Sequence, residues 1–271
     1  MLAILLSTYN GERFLREQLD SLFNQRYSDF TLYVRDDGST DTTVDIIHEY
    51  QTKHENVILL HDPWQHRGAS GSFMWMLQQI EADFYMFCDQ DDVWMSNKVG
   101  DTFSLMQQCD LKQPTIIHTD LAITDENLHV THPSYWSFTK KPAKYSASYH
   151  YHCAYNNVTG CTMLINRQAR DLAVHIPENS PMHDKWIALV VSYHRGTIRY
   201  LPYATIYYRQ HATNVIGAKK SDSYLRKLQS LRELLRKNGQ WYRTVKELTN
   251  ISLPYFILNK LRFALLRALT K

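Results

Sequence analysis

Three carboxylates fall within four positions at Asp89-Gln90-Asp91-Asp92, followed directly by Val93-Trp94. Carboxylates this close repel one another, so such a cluster needs a cation or compensating hydrogen bonds. Dense, hard oxygen ligands suit Mg²⁺ or Mn²⁺ carrying a diphosphate. The plain alternative is a solvated acidic turn. The preceding run, Phe84-Tyr85-Met86-Phe87-Cys88, is short and aromatic-rich and predicts a buried strand. The acids therefore sit at a strand's C-terminal end, where open α/β sheets bind ligands.

Other elements must position that motif. Leu2 to Leu6 is an apolar run that stops at Ser7-Thr8-Tyr9-Asn10-Gly11, and Phe14, Leu15, Leu19, Leu22 and Phe23 then recur at helical spacing. A second unit has Phe30 to Val34 as strand, Arg35 to Asp41 as turn, and Val44, Ile46, Ile47 and Tyr50 on a helix that Thr40 or Asp41 would cap. A third has Val57 to Leu60 as strand and Phe73 to Ile80 as helix, with Arg67, Gly68 and Gly71 between them. Four βα units in succession imply a mostly parallel sheet covered by helices.

These motifs resemble the family 2 glycosyltransferases of GT-A fold. The resemblance is carried by Ser7-Thr8-Tyr9-Asn10-Gly11, Asp36-Asp37-Gly38-Ser39-Thr40-Asp41, Asp89-Gln90-Asp91-Asp92, His183-Asp184-Lys185-Trp186 and Tyr208-Arg209-Gln210-His211, in that order. The style of the last three is most similar to the branch that includes bacterial rhamnosyltransferases of polysaccharide synthesis. The fold implied is an α/β, Rossmann-like GT-A sheet, mostly parallel and mixed, flanked by helices and followed by a basic helical C-terminal extension. Residues 1–217 would form the catalytic domain, with a nucleotide-binding part over 1–120 and an acceptor part over 121–217; the extension would span 218–271.

The resemblance implies an inverting, metal-dependent transfer from a dTDP- or UDP-sugar, L-rhamnose first, to a growing and lipid-linked glycan. It places Thr8, Tyr9, Asn10, Glu12 and Gln90 on the nucleotide side. Asp37 would accept from a pyrimidine N–H, because a carboxylate accepts and does not donate; this suits uracil or thymine. One of Asp36 and Asp37 could instead hold the turn beside Gly38. Arg67 would reach base or phosphates, with an ordinary surface arginine as the alternative. Asp89 would touch ribose or metal-bound water, and Asp91 would ligate Mn²⁺ or Mg²⁺. Asp92 would lie behind it or cap a helix starting near Ser96. Trp94 would either stack near the site or pack.

Asp184 is the expected general base. It opens an apolar stretch, Trp186 to Val191, where partial desolvation would raise its pKa; an N-cap role is the competing reading. His183, Lys185 and Trp186 are expected beside it, on the donor and acceptor side. Arg209 and His211 would come from a loop closing over the diphosphate, His211 as a metal or phosphate contact, with Asn214 and Gly217 letting the loop move. Thr124 to Asn157 is aromatic and His-rich, with Tyr135, Trp136, Phe138, Tyr149, Tyr151 and Tyr155, and is expected to be a long acceptor-side loop. Asn157 to Ile165 is expected to return as a strand, with Gly160 and Cys161 beside the donor sugar.

Bulk properties bound the rest. A chain of 271 residues with no low-complexity tract fits one large domain with an appendage. Four cysteines without Cys-x-x-Cys spacing predict buried free thiols and a reducing cytoplasm. Leu2 to Leu6 is too short for a secretion-signal core and lacks a basic flank, and no run approaches the roughly 18 apolar residues of a membrane span. Residues 219–271 hold 13 Lys and Arg against 3 Asp and Glu, a balance of +10, which leaves −7 for residues 1–218 of a chain whose net charge is +3. Tyr224 to Lys237 and Leu253 to Leu269 predict helices. In the second, Leu258, Leu261, Leu265 and Leu269 share one face, Lys260, Arg267 and Lys271 lie opposite, and Phe256 and Phe263 fall nearer the basic side. Such a helix would lie on an anionic membrane at the inner face of the cell envelope, or pack back and expose a basic face. The acidic front of the chain opposes nucleic-acid binding, and an oligomer is compatible with the sequence. Two rival functions are a sugar-nucleotide nucleotidyltransferase, which would need a basic Gly-rich loop where Ser-Thr-Tyr-Asn-Gly stands, and a non-catalytic nucleotide-sugar-binding module.

Overall fold

The computed structural model describes residues 1–177, 180, 182–211 and 224–269, the last segment from 224 to 234 as backbone only. The strands are β1 Leu2–Thr8, β2 Thr31–Asp36, β3 Val57–Leu59, β4 Phe84–Asp89, β5 Val93–Trp94, β6 Thr115–Thr124, β7 Val130–His132, β8 Leu164–Asn166 and β9 Thr197–Arg209. The helices are α1 Leu15–Phe23, α2 Thr43–Lys53, α3 Gly68–Gln79, α4 Lys98–Met106, α5 Tyr135–Thr139, α6 Tyr149–Ala154, α7 Arg167–Ala173, α8 His183–Tyr193, α9 Tyr224–Thr249 and α10 Leu253–Leu269. One sheet runs β3-β2-β1-β4-β8-β6-β9-β5, with β7 beside β6. The β3-β2-β1-β4 half is parallel, while β8 pairs antiparallel with both β4 and β6. The mixed α/β architecture matches the expected fold class.

Both faces of the sheet are covered, which explains why β1 reads as a continuous apolar run rather than an alternating one. Leu2, Ile4 and Leu6 point to a core built with α1, α2 and α4; Ala3 and Leu5 point to a second core built with α3, α7 and α8. The register aligns the strand ends that matter. Ser7 pairs with Asp89 and Thr8 with Asp36, so the first turn, the second turn and the acidic motif emerge side by side at one edge.

Several local expectations change. Gly68 and Gly71 lie inside α3, which begins at Gly68, five positions before Phe73, where the sequence pattern starts the helix. The strand expected over Asn157–Ile165 is a 3₁₀ turn at Gly160–Thr162 followed by the short β8. Thr124–Asn157 is not a loop; it contains β7, α5 and α6. Tyr151 there is fully buried and meets Phe263 of α10 edge-on, with ring centroids 5.1 Å apart, so part of its aromatic content is packing. In the tail, α9 continues past Lys237 to Thr249 and takes Gly239 into the helix, where a methyl group would meet nothing within 4 Å. The hinge expected at Asn214 and Gly217 lies outside the described residues.

Candidate active site

The first two turns are stitched together by the very side chains that the sequence assigns to nucleotide. Thr8 is buried and its hydroxyl donates to Asp36 at 2.8 Å. Asn10 takes a left-handed conformation (φ 46°), its N–H donates to the Ser39 hydroxyl, and its side-chain oxygen accepts from the Thr40 N–H. Glu12 accepts from both the N–H and the hydroxyl of Thr42 at the start of α2. Asp41, rather than Thr40, receives the first free N–H of that helix, from Thr43. Gln90 accepts from the Tyr9 N–H and donates to the Tyr9 carbonyl, tying β4's exit to β1's. Gly11 is the residue that permits this, since a Cβ there would stand 2.2 Å from the Gln90 side-chain oxygen. These four side chains therefore frame the cleft, while the Tyr9 ring stands exposed above it, edge-on to His66.

Asp36 and Asp37 divide their work. Asp36 accepts from the N–H groups of Gly38 and Ser39 and holds the turn. Asp37 is buried and accepts from Arg35, from the Arg67 N–H and from the Gly68 N–H. Asp62 receives both Arg35 and Arg67. Burial alone would raise the Asp62 carboxyl, but bonds from Arg67, the Trp64 N–H and Arg35 outweigh it and hold the group well below the usual carboxylate range. The Arg67 guanidinium is thus held at the mouth of the second turn. A cleft lined by Asp36, Gly38, Leu60, His61, Asp62 and Gln65 opens beside it.

The acidic motif is placed by β5. Val93 pairs antiparallel with Tyr207 and Trp94 with Ile206, so the residues just before β5 face those just after β9. Asp92 accordingly accepts from the Arg209 N–H at 3.2 Å, and His211 Nε2 lies 2.8 Å from Asp91 Oδ2. The structure brings together Asp91 and His211, as paired residues 120 positions apart. Arg209 is buried rather than facing a phosphate. It donates to the carbonyls of Asp91 and Glu126 and to the Glu17 carboxylate, and it stacks on Phe14. Its role is to fix the backbone of the Asp91 loop. The Phe14 ring also meets the His211 imidazole, at 4.8 Å.

Asp92 does not cap a helix. It is buried, α4 starts six residues later, and one of its oxygens has no hydrogen-bond partner. Burial, then Asp91 and Asp89, push its carboxyl well above the usual range. Asp89, at the end of β4, is pushed up to about 7 by burial and by the charges of Asp91 and Asp184. Oxygens of Asp89 and Asp92 lie with Cys161 Sγ within 4.8 Å of one another. The Cys161 thiol is pushed up by burial and neighbouring carboxylates and stays protonated, so this trio is a poor cage for a hard cation. The Asp91–His211 pair offers donors that suit one better, an oxygen and an imidazole 2.8 Å apart, with the Asp89 carboxyl near enough to feel the Asp91 charge.

Asp184 sits in the first turn of α8, whose N-cap is Met182, so it is not the cap residue. Burial raises its carboxyl to about 6 against the opposing effects of the Lys185 N–H, the Lys141 and Lys185 ammonium groups, and the Gly160 N–H. Beneath it, His183 is buried between Phe73 and Phe87, with both ring nitrogens unpartnered and its pKa pushed down to about 3 by burial. It is a neutral packing group and does not face a donor. Gly160 lies over it, and an added Cβ would meet His183 Nε2 at 2.7 Å and Asp184 Cβ at 3.6 Å. Gly160→Ala is therefore expected to push back His183 and, through it, the start of α8 that carries Asp184, lowering turnover about 10-fold to 100-fold with the melting temperature down by several degrees. Steady-state kinetics with a thermal melt checks it, and unchanged kinetics would remove Gly160 from the site.

Lys185 and Trp186 take positions other than those expected, and Trp94 follows its packing alternative. Lys185 points away from the cleft, its ammonium 3.8 Å from the centroid of the Trp241 ring in α9. Trp186 is buried in the α3–α7–α8 core and donates from its indole to the Ala173 carbonyl. Trp94 is buried beneath the acidic motif. No motif or spacing marks Lys98, whose buried ammonium lies 4.4 Å from the Trp94 ring centroid, or Lys141, whose charge acts on Asp184. A lone lysine outside any motif looks like a solvated surface cation until the fold closes over it.

Comparison with known proteins agrees with this geometry. The family model "Glycosyl transferase family 2" matches residues 3–171. The chain is 27% identical over 259 residues to a dTDP-rhamnosyl transferase, RfbG, of Shigella flexneri, covering 91% of this chain and 83% of that protein. It is 29% identical over 106 residues to WfgD of Escherichia coli, a UDP-Glc:α-D-GlcNAc-diphosphoundecaprenol β-1,3-glucosyltransferase, covering 39% of this chain and 41% of that protein. Among solved structures, residues 1–349 of S. aureus TarS in complex with UDP-GlcNAc superimpose with a TM-score of 0.61 at 19% identity, over 95% of this chain and 79% of that one. With its GT-A fold and a family match across most of its length, the chain belongs to glycosyl transferase family 2, and it is a glycosyltransferase.

Proposed function

We propose that the protein transfers a sugar, L-rhamnose first among the candidates, from a dTDP- or UDP-sugar to a growing lipid-linked glycan, with inversion at the transferred carbon. The observation that carries this reading is the convergence of Asp89, the Asp91–His211 pair and Asp184 at one edge of the sheet. The sugar is supported by the 27% identity to a dTDP-rhamnosyl transferase over nearly the whole chain. A lipid-linked acceptor is supported by the relative that acts on a diphosphoundecaprenol glycan.

In this reading the nucleoside lies in the cleft beside the first two turns, below Tyr9 and the Arg67–Asp62 pair. Asp91 and His211 would hold Mn²⁺ or Mg²⁺, with the Asp89 carboxyl in the same cluster of acids. Such an ion, when bound, supplies charge neutralisation for the departing diphosphate. Asp184 accepts the proton of the acceptor hydroxyl as that oxygen attacks. A single displacement needs a base but no enzyme nucleophile, and a carboxyl near pKa 6 is deprotonated at neutral pH yet retains basicity. No helix among the described residues is long and apolar enough to cross a membrane, so a lipid-linked acceptor would be met at the bilayer surface.

The experiment is calorimetric titration of the full chain with dTDP, UDP and GDP, each with and without Mn²⁺, followed by transfer assays with the matching sugar donors. Binding of dTDP or UDP that strengthens with Mn²⁺ supports the reading. Preference for GDP, or no binding of any of the three, would overturn the donor assignment.

A further inference from the structure

Helix α10 is docked on the protein by its less greasy side. Phe256, Asn259 and Phe263 are its buried residues. Lys260 donates to the Ala154 carbonyl and lies over the Tyr155 ring, and Arg267 donates to the carbonyls of Thr139 and Lys140. The opposite side is exposed along its whole length: Leu258 is 61% exposed, Leu261 64%, Leu265 63% and Leu269 71%, with Ile257 and Leu253 also exposed. The helix packs back on the protein, but it exposes its leucines rather than the basic face expected of that arrangement. An amphipathic helix free to choose in water would bury the leucines. Here the inward contacts are specific hydrogen bonds and ring stacks, so the outward direction of the leucines is set by the fold. Contiguous exposed apolar stripes of this kind are rare on proteins that meet only water.

We propose that the Leu258–Leu261–Leu265–Leu269 face of α10 seats the protein on an anionic lipid surface. Charge selects this partner over a second copy of the chain. From residue 248 to the end the sequence has no Asp or Glu, and it has Lys260, Arg262, Arg267 and Lys271. Lys260 and Arg267 are turned inward, so two such helices face to face would set Arg262 against Arg262 with no carboxylate on either helix to offset it. A bilayer with anionic headgroups supplies the countercharge to Arg262, which is exposed beside the stripe. At 17 residues, α10 is long enough to lie along the interface and too short and polar to cross it.

Seating would also orient the enzyme. Arg267 grips the carbonyls of Thr139 and Lys140, and the next residue, Lys141, is one whose charge acts on Asp184. The membrane-facing helix is therefore one short step from the base, on the side where a lipid-linked acceptor would approach. That orientation deepens the proposed reading and rests on it, whereas the binding itself does not.

The test is vesicle flotation of the full chain, on phosphatidylcholine alone and on phosphatidylcholine with phosphatidylglycerol, against Leu258→Ser/Leu261→Ser/Leu265→Ser and the single Leu261→Glu. The wild type is expected to float with the anionic vesicles, and both variants to lose at least about tenfold of that binding. Because the altered side chains are exposed, melting temperature and nucleotide binding are expected to stay unchanged, which separates failure here from failure of the proposed reaction. Absence of wild-type flotation would overturn the proposal, as would variants that float like the wild type. Equal flotation on neutral vesicles would overturn the choice of an anionic partner. A concentration-dependent dimer that the variants abolish, with no flotation, would assign the face to a second copy instead.

Discussion

Asp184→Asn is expected to reduce turnover about 10³-fold while leaving nucleotide affinity within about threefold. The asymmetry follows from where the residue sits. Asp184 projects from the first turn of α8, whereas the cleft beside the nucleotide turns is built from β1, β2 and β4. Its carboxyl is raised to about 6 chiefly by burial, and it must be deprotonated to take a proton. The sign is therefore fixed: kcat/KM should rise with pH through about 6 and level off above it. Below that point it should fall tenfold per pH unit, or more steeply if Asp89, raised to about 7, must also lose its proton. Removing a cationic neighbour should move the limb as well. Lys141→Met deletes a charge that holds Asp184 down, so the acid limb should shift to higher pH. Single-turnover transfer across a pH series, with calorimetry for binding, measures both effects. Retention of more than about a tenth of wild-type turnover by Asp184→Asn would exclude it as the base, and Asp89 would be the next carboxylate to replace.

How much of this was visible in the sequence differs by level. The strand–turn–helix units were legible because β1 and β4 are short apolar runs that end abruptly in polar residues, and because α1 and α2 repeat at helical spacing. The acidic motif and Asp184 were legible because carboxylates beside buried strands and helices are costly and so stand out. What was not legible is which side of a motif faces the cleft. Thr8, Asn10, Glu12 and Gln90 lie in the right loops, yet their side chains are used to hold those loops together. His183 and Trp186 lie within two residues of Asp184, but helix geometry turns them to other faces and they point into the core; Trp94 follows the buried Asp92 inward. The partner of Asp91 depended on the antiparallel pairing of β5 with β9, a long-range register that local pattern does not contain. The segment Thr124–Asn157 misled because two short helices of five and six residues are below the length at which periodicity can be recognised.

Replacement of Asp91 should have the second large effect, and it should be visible without any sugar present. Mn²⁺ is expected to raise the melting temperature of the wild type, since a ligand that binds only the folded state stabilises it by mass action. Asp91→Asn should abolish that rise and lower turnover about 10³-fold, because several kcal/mol of charge neutralisation at the diphosphate would be lost. His211→Ala should weaken both effects by less, since its imidazole lies beside Asp91 and leaves the carboxylates in place. Protons report the same site independently. Asp89 is held up to about 7 by burial and by the charges of Asp91 and Asp184, so part of its population is protonated near neutrality. A cation placed among these acids favours their charged forms, so Mn²⁺ binding near pH 6.5 should release protons. The apparent enthalpy should then change with the ionisation enthalpy of the buffer. In Asp91→Asn two changes act together: one of the charges raising Asp89 is gone, and so is the cation's main ligand, so the buffer dependence should vanish with the binding. A wild type whose melting temperature and nucleotide affinity are both indifferent to Mn²⁺ would show that the acidic cluster is balanced by protons and hydrogen bonds alone. In that case Asp89 should carry its proton through much of the working pH range, and nucleotide affinity should fall as pH rises through about 7 instead of holding steady.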